Sequence, residues 1–341
     1  MPVRELTCDD WRAYAIFRQE LWPDHASAGY WEVVQKKYFE NPHRSICAQS
    51  GLYGYFQGDR LLGTMGAYPM PVTCGGTLYP GHMLVDWAVL SNFRFGPVAG
   101  QLWSKLFALP GRKYGSVGTQ FSQPLLEKRG KKIVSREAAC VLNLRSSVAV
   151  KLLDPKRYGQ ASPIHLDELE MVPGVSLLAG EQVRAAVPGA LRNLARVHRD
   201  SDFWRVYCEG RLYHGGFPLR VVSGEGESDI VVRITEIGRF RFAMLLSAYL
   251  NPYSVACARA TGRLLRRLLE RLKVGVMYVT EADEELAALA NSVSKAVHRA
   301  TVHWWSIPRP TDTFRSEDVP WWLTSAERDG IYGGIQPCVP R

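Results

Sequence analysis

Apolar and polar positions follow two tempos along the first 140 residues. Residues 8–20 and 29–40 read as helices. Residues 51–57 (GLYGYFQ) and 61–72 (LLGTMGAYPMPV) are apolar runs around Gly58-Asp59-Arg60, which predicts a β-hairpin. Cys74-Gly75-Gly76-Thr77 marks a second turn. Residues 82–90 (HMLVDWAVL) then read as a strand, 98–108 as a helix and 114–119 as a short strand. A short helix over 122–129 is stopped by Gly130, and 132–142 read as a further strand.

Residues 145–200 lose this regularity. Asp154-Pro155, Ser162-Pro163 and Val172-Pro173-Gly174 punctuate them, and a helix-rich connector with a domain cut near 160–175 is expected. Beyond it, 202–209 read as an aromatic helix, 217–223 and 229–237 as strands, and 254–272 as a long helix. Residues 274–280 read as a strand, 283–298 as a helix and 301–307 as a last strand. The order of elements in the second half repeats that of the first, which suggests a duplicated domain. The fold class expected is α/β (α+β): tandem domains, each a mixed, mainly antiparallel sheet flanked by helices. The domains are placed at 1–165 and 166–330, with a tail over 331–341.

A chain of 341 residues supports this division, because one core rarely serves more than about 200. The 46% hydrophobic and 22% charged content excludes a disordered or collagen-like chain. The seven cysteines are scattered and never spaced CxxC, which argues against a disulfide framework and a cysteine-rich zinc site. Reduced thiols in a cytoplasmic protein are expected. The segment MPVRELTCDDWRAY lacks the apolar core of a signal peptide, and no apolar run long enough to span a membrane follows. The net charge of +9 favours anionic partners without choosing among nucleic acid, lipid headgroups and cofactor. The densest basic run, 263–273, sets leucines 264, 265, 268, 269 and 272 on one helix face, so its arginines read as a solvated face.

The stretch 85–107 (VDWAVLSNFRFGPVAGQLWSKLF) carries the most chemistry. A strand passes into a helix through Arg94-Phe95-Gly96-Pro97-Val98-Ala99-Gly100. A helix start offers unpaired N–H groups and a partial positive charge, which suit a phosphate. Gly96, Ala99 and Gly100 give room for close approach, and Arg94 adds a charge-assisted contact.

This segment resembles the fourth strand and pyrophosphate loop of the GCN5-related N-acetyltransferase (GNAT) superfamily, in its two-lobed bacterial form. That family follows an apolar strand with Arg-x-x-Gly-x-Gly/Ala and a helix. Arg94 takes the arginine position, Pro97 the first small position and Ala99 the second. Pro97 departs from the pattern, since it has no N–H to give. Leu125-Leu126-Glu127-Lys128-Arg129-Gly130-Lys131 resembles the segment after the family's fifth strand, with Leu126 where a tyrosine general acid often stands. The aromatic segment from Tyr30-Trp31 to Asn41-Pro42 resembles the start of some two-lobed members, and Asp202-Phe203-Trp204-Arg205 is its possible counterpart.

The resemblance implies acyl transfer from acetyl-CoA or another acyl-CoA to a small-molecule acceptor between the lobes. An amine, amino sugar or hydroxyl compound would serve. Backbone groups of Trp87 and Val89 would pair with the pantetheine arm, and Arg94, Phe95, Gly96, Val98, Ala99 and Gly100 would hold the pyrophosphate. Alternation puts His82 and Asp86 on one strand face. Asp86 in so apolar a run is a candidate base, because desolvation would raise its pKa, and His82 could assist it. Ser122, with Gln120, is a candidate for contact with acceptor or thiol, against helix capping. Glu236 is weighed as an acid or base of the second half against a salt bridge with Arg233 or Arg239. The tryptophans at 304, 305, 321 and 322 read as packing. His298 and His303 lack a third convergent ligand, so no metal is expected. Two alternatives stay open: a FemABX-like transferase using aminoacyl-tRNA, and a non-catalytic GNAT-like binding module. A monomer or homodimer is compatible with the sequence.

Overall fold

The computed structural model describes residues 2–23, 30–115, 123–145, 162–164, 170–184, 189–208, 216–237, 239–307 and 321. The chain divides into two compact units, Met1–Ile133 with Trp304–Pro320, and Val134–His303 with Trp321–Arg341. This division differs from the cut expected near 165, for a reason that lies in the strands.

In the first unit, β1 (Val3–Glu5) precedes α1 (Trp11–Leu21) and α2 (Tyr30–Val34), which runs on as a π-helical turn over Gln35–Phe39. The antiparallel strands β2 (Gly51–Gln57) and β3 (Arg60–Pro69) form the expected hairpin. A small hairpin, β4 (Val72–Cys74) and β5 (Thr77–Tyr79), leads to β6 (Gly81–Val89). Then come α3 (Pro97–Ala108), β7 (Arg112–Gly115) and α4 (Gln123–Arg129). The strand order is β1-β2-β3-β6-β7, antiparallel except for the parallel pair β6–β7. The last strand against β7 is not a neighbour in sequence. Trp305, Ser306 and Ile307 pair with Gly115, Tyr114 and Lys113.

The second unit takes its edge from the first half of the sequence. The strand β8 (Lys131–Val141) pairs through Glu137–Val141 with β15 (Val274–Thr280). Between them lie β9 (Ser162–Pro163), β10 (Val175–Leu177), β11 (Arg196–Val197) and α5 (Ser201–Cys208). The antiparallel run β12 (Gly216–Ser223), β13 (Gly226–Ile237) and β14 (Phe240–Asn251) follows. The helix α6 (Val255–Arg271) leads into β15, and α7 (Glu284–Val293) into β16 (Ala296–Ile307). Strand order is β8-β15-β14-β13-β12-β10, with β14–β15 the parallel pair.

The second core forms because α6 is amphipathic in the expected way. Cys257, Ala258, Leu265, Leu268, Leu269 and Leu272 are buried against the sheet and α7, while Arg263 and Arg267 stay exposed. Burial of each such leucine contributes roughly 1.5–3 kcal/mol. Of the connector expected to be helix-rich, 146–161, 165–169 and 185–188 lie outside the described residues; 144–145 are helical, and the described stretches between 162 and 200 form short strands and 3-10 turns. One expectation needs correction. The helix expected over 283–298 stops at Val293, because Ser294 turns extended and its Oγ donates to Val141 O at 2.5 Å. Among the described residues, no helix is long and apolar enough to cross a membrane.

Candidate functional site

Among the described residues, the parallel strands β6 and β7 pair over Gly81–Met83 and Arg112–Tyr114. β6 continues to Val89, still paired on its other edge with β3. Among the described residues, the edge Leu84–Val89 is therefore open on the β7 side. Asp86 lies on this stretch. Its φ of 52° falls in the left-handed region, and the β3–β6 register shifts between Thr64 and Gly66. This bulge re-aims a side chain that regular alternation would have placed with His82.

Asp86 is held by the π-helical turn of the first unit. Lys37 Nζ donates to Asp86 Oδ2 at 2.7 Å, and the Tyr38 hydroxyl donates to the same oxygen at 2.5 Å. Thr64 Oγ1 donates to the Asp86 carbonyl at 3.1 Å. Lys37 and Tyr38 are buried, while the Asp86 side chain keeps 21% of its surface exposed. Gly66 makes the arrangement possible. A Cβ there would lie 1.8 Å from the Tyr38 hydroxyl.

Burial pulls the Asp86 carboxyl upward, but the Lys37 ammonium, the hydrogen bonds from Lys37 and Tyr38, and the Arg18 charge outweigh it. The net shift is below the ordinary carboxylate value. This corrects the expectation of a raised pKa. Asp86 is an ionised, anchored carboxylate, suited to holding a cationic or hydrogen-bond-donating group through its less engaged Oδ1.

His82 stands elsewhere in function. It is fully buried, in register between Pro69 and Lys113, with both ring nitrogens short of hydrogen-bond geometry against the backbone of Cys47 and Ala48. Burial first, and then the Lys113 ammonium, push its pKa down to about 4. No hydrogen bond links it to Asp86. Lys113 itself caps the end of α3, donating to the Leu109 and Gly111 carbonyls.

The turn from β6 to α3 is open. Ser91–Phe93 form one 3-10 turn, and Gly96 precedes the helix with no side-chain cap. Pro97 at the first helical position removes one N–H and pre-sets the helix backbone. The amides of Val98 and Ala99 head the helix. A Cβ on Gly100 would meet nothing within 4 Å, and one on Gly96 only the Phe93 carbonyl at 3.5 Å. Packing thus gives no reason for glycine at 100, where it costs a helix about 1 kcal/mol. Arg94 is exposed, with Nε 3.4 Å from the Val89 carbonyl, and Phe95 is 95% exposed. Trp87 packs edge-on against Trp103 at 5.2 Å.

The corresponding place in the second unit is closed. β14 pairs with β15 only over Arg241–Met244, then runs on to Asn251. Its turn into α6 is Pro252-Tyr253-Ser254. The Ser254 side chain caps α6 by accepting from the Cys257 amide at 3.2 Å. The Tyr253 hydroxyl donates to Asp283, whose other oxygen caps α7 at the Leu286 amide. The polar groups of this turn satisfy one another.

Of the remaining candidates, Ser122 and Gln120 lie outside the described residues. Leu126 is buried and packs on Gly115. Glu236 pairs with Arg241 at 2.7 Å, not with Arg233 or Arg239. Arg233 is buried beside Tyr207. Trp304 and Trp305 are buried, as packing residues are. Lys37, Tyr38 and Gly66 were missed. Nothing local marks them, since their role depends on a contact across some 50 positions of sequence. The buried lysine in a helix of aromatic neighbours was the available signal.

Residues 2–109 match the family model of the acetyltransferase (GNAT) domain. The matched segment lies within the first unit. That match includes β6, the bulge at Asp86 and the whole of α3. No curated protein matches the chain in sequence. Solved structures extend the likeness in fold over most of its length. A GCN5-related N-acetyltransferase from Anabaena variabilis ATCC 29413 is 10% identical, with a TM-score of 0.52, over 89% of this chain and 71% of that one. A probable N-acyltransferase, a conserved protein of unknown function from Enterococcus faecalis V583, is 12% identical, with a TM-score of 0.54 and the same coverage. Saccharomyces cerevisiae N-myristoyltransferase, solved with myristoyl-CoA and inhibitors, is 8% identical, with a TM-score of 0.52, over 94% and 86%. The GNAT fold, with its large, mainly antiparallel sheet and flanking helices, thus accounts for the chain.

Proposed function

We propose that the first unit binds an acyl-CoA at the β6–α3 turn and transfers the acyl group to an amine held by Asp86. The observation that carries this reading is the contrast between two helix starts. α3 begins with no side-chain cap and a glycine that packs against nothing, whereas α6 begins with Ser254 already filling its cap. An uncapped helix start with room above its amides suits a pyrophosphate. The edge of β6, open among the described residues, gives an extended amide chain, such as pantetheine, a backbone to pair with. The chain is then a tandem protein in which the first unit takes the donor and the second has given up that role.

The residues present fit such a donor through Val98, Ala99, Gly96 and Gly100, with Arg94 adding a charge. Asp86, anchored through Oδ2, orients the acceptor amine through Oδ1. Its depressed pKa makes it a positioning anion more than a proton store, so the proton of the attacking amine leaves to water. Leu126, buried against Gly115, offers no proton to a departing thiolate. The GNAT-like binding-module reading rests on that residue, and it predicts coenzyme A binding without turnover of any amine.

The test is calorimetric titration of the purified chain with coenzyme A and acetyl-CoA, beside Gly100→Asp. Saturable binding, weakened at least about tenfold by the aspartate while circular dichroism is unchanged, is the expected result. A folded wild type that binds neither compound overturns the proposal.

A further inference from the structure

In the second unit a cavity of about 510 Å³ lies where the end of α6 meets the start of β14. Six charged side chains line it: Glu170, Glu236, Arg239, Arg241, Arg271 and Lys273. Both carboxylates are engaged. Arg241 Nε pairs with Glu236 Oε2 at 2.7 Å, and Arg271 Nη2 with Glu170 Oε2 at 2.6 Å. Arg239 and Lys273 line the wall with no acidic partner among the described residues.

Lys273 sits there at a cost. Its φ is 56°, in the left-handed region, just past the end of α6. Helices usually give that position to glycine or asparagine, because other residues are strained there. A cation near a helix C-terminus is favoured by the helix dipole, which accounts for Arg271. The dipole accounts neither for the strained backbone under Lys273 nor for Arg239, which comes from the β13–β14 turn. The cavity is also not a second donor site. It lies at the Phe240 end of β14, and the β14–α6 turn lies at the Asn251 end.

Four cations against two carboxylates leave two positive charges uncompensated. A phosphate monoester carries about −1.5 to −2 at neutral pH, and guanidinium forks match its oxygens. The volume falls within the roughly 300–1,000 Å³ of small-molecule sites. We propose that this cavity binds the phosphate group of a small phosphorylated metabolite.

The test is titration of the full chain with glycerol phosphate and with inorganic phosphate, followed by calorimetry. Gly100→Asp serves as background, so that anion binding at the β6–α3 turn is read separately. Glycerol phosphate is expected to saturate with a dissociation constant below about 1 mM, and more tightly than inorganic phosphate. Arg239→Ser with Lys273→Gly is expected to weaken it at least about tenfold. Lys273→Gly alone relieves the left-handed strain, so it is expected to weaken binding while the unfolding temperature holds or rises. No saturation by about 10 mM, or binding indifferent to both substitutions, overturns the proposal. So does glycerol phosphate that binds no more tightly than inorganic phosphate, since the occupant is then the free ion.

Discussion

Asp86 takes its properties from residues distant in sequence. A lone aspartate in an apolar strand reads as a carboxyl raised by burial, and only the fold supplies the Lys37 ammonium and the Tyr38 hydroxyl that reverse the sign. Gly66 is coupled to the same group, because a methyl there would overlap the Tyr38 hydroxyl. Gly66→Ala is therefore expected to destabilise by about 2–4 kcal/mol, as overpacking with loss of a buried hydrogen bond does. Adding Tyr38→Phe removes the overlapping oxygen, so the double variant is expected to be more stable than the sum of the single costs. Urea unfolding of the four proteins in the cycle measures this. His82 makes a second residue-scale prediction. Its folded pKa lies near 4, below the unfolded value of about 6.5, so its neutral form stabilises the fold above that unfolded value. Stability is expected to fall by about 3 kcal/mol as pH drops from about 6.5 to 4, and His82→Gln should flatten that slope. Asp86 stood out in the sequence by its polarity alone. Its partners, and the complete burial of His82, did not.

Among the elements, helix starts divide the two units most clearly. Ser254→Ala removes the α6 cap and is expected to cost about 1 kcal/mol in thermal or urea unfolding. At the other start, Gly100→Ala is expected to stabilise the protein by about 0.5–1 kcal/mol, because nothing packs where the methyl would go. The same variant is expected to weaken coenzyme A binding, a trade between stability and function that a purely structural turn would not show. Most elements could be read from hydrophobic spacing, including the hairpin of β2 and β3 and the full length of α6. The strand β14 could not. Its residues FRFAMLLSAYLN are apolar toward both faces of the sheet, so the alternation that marks a strand is absent. The residues 296–298 (AVH) continue a helical pattern, yet strand pairing within the sheet takes them. The turn at 94–100 stood out because it sets small residues where packing does not call for them.

At the scale of the whole molecule, the two halves of the sequence are not the two units of the fold. β8 leaves the first half to pair with β15, and the last residues of β16 return to pair with β7. Ser306 accepts a hydrogen bond from buried Arg112 Nη1 at 3.1 Å within the first unit. A chain ended at Arg145 is therefore expected to lack a cooperative urea transition, despite containing the entire segment matched by the GNAT model. A cut placed by composition cannot foresee such an exchange, because strand partners are chosen by shape and not by order. The exchange also sets a timetable. A ribosome that has just released Gly115 must add 189 more residues before Trp304 appears, about 10–40 s at 5–20 residues per second. Through that interval the backbone edge of β7 awaits its partner, open to any other strand within reach. For this chain the hazard of synthesis falls on short edges, that of β7 longest and that of β8 until β15 is made. Slowed translation of the last third, or loss of the chaperones that cover nascent strands, should lower the yield of folded protein more than it would for a fold whose units close in sequence order.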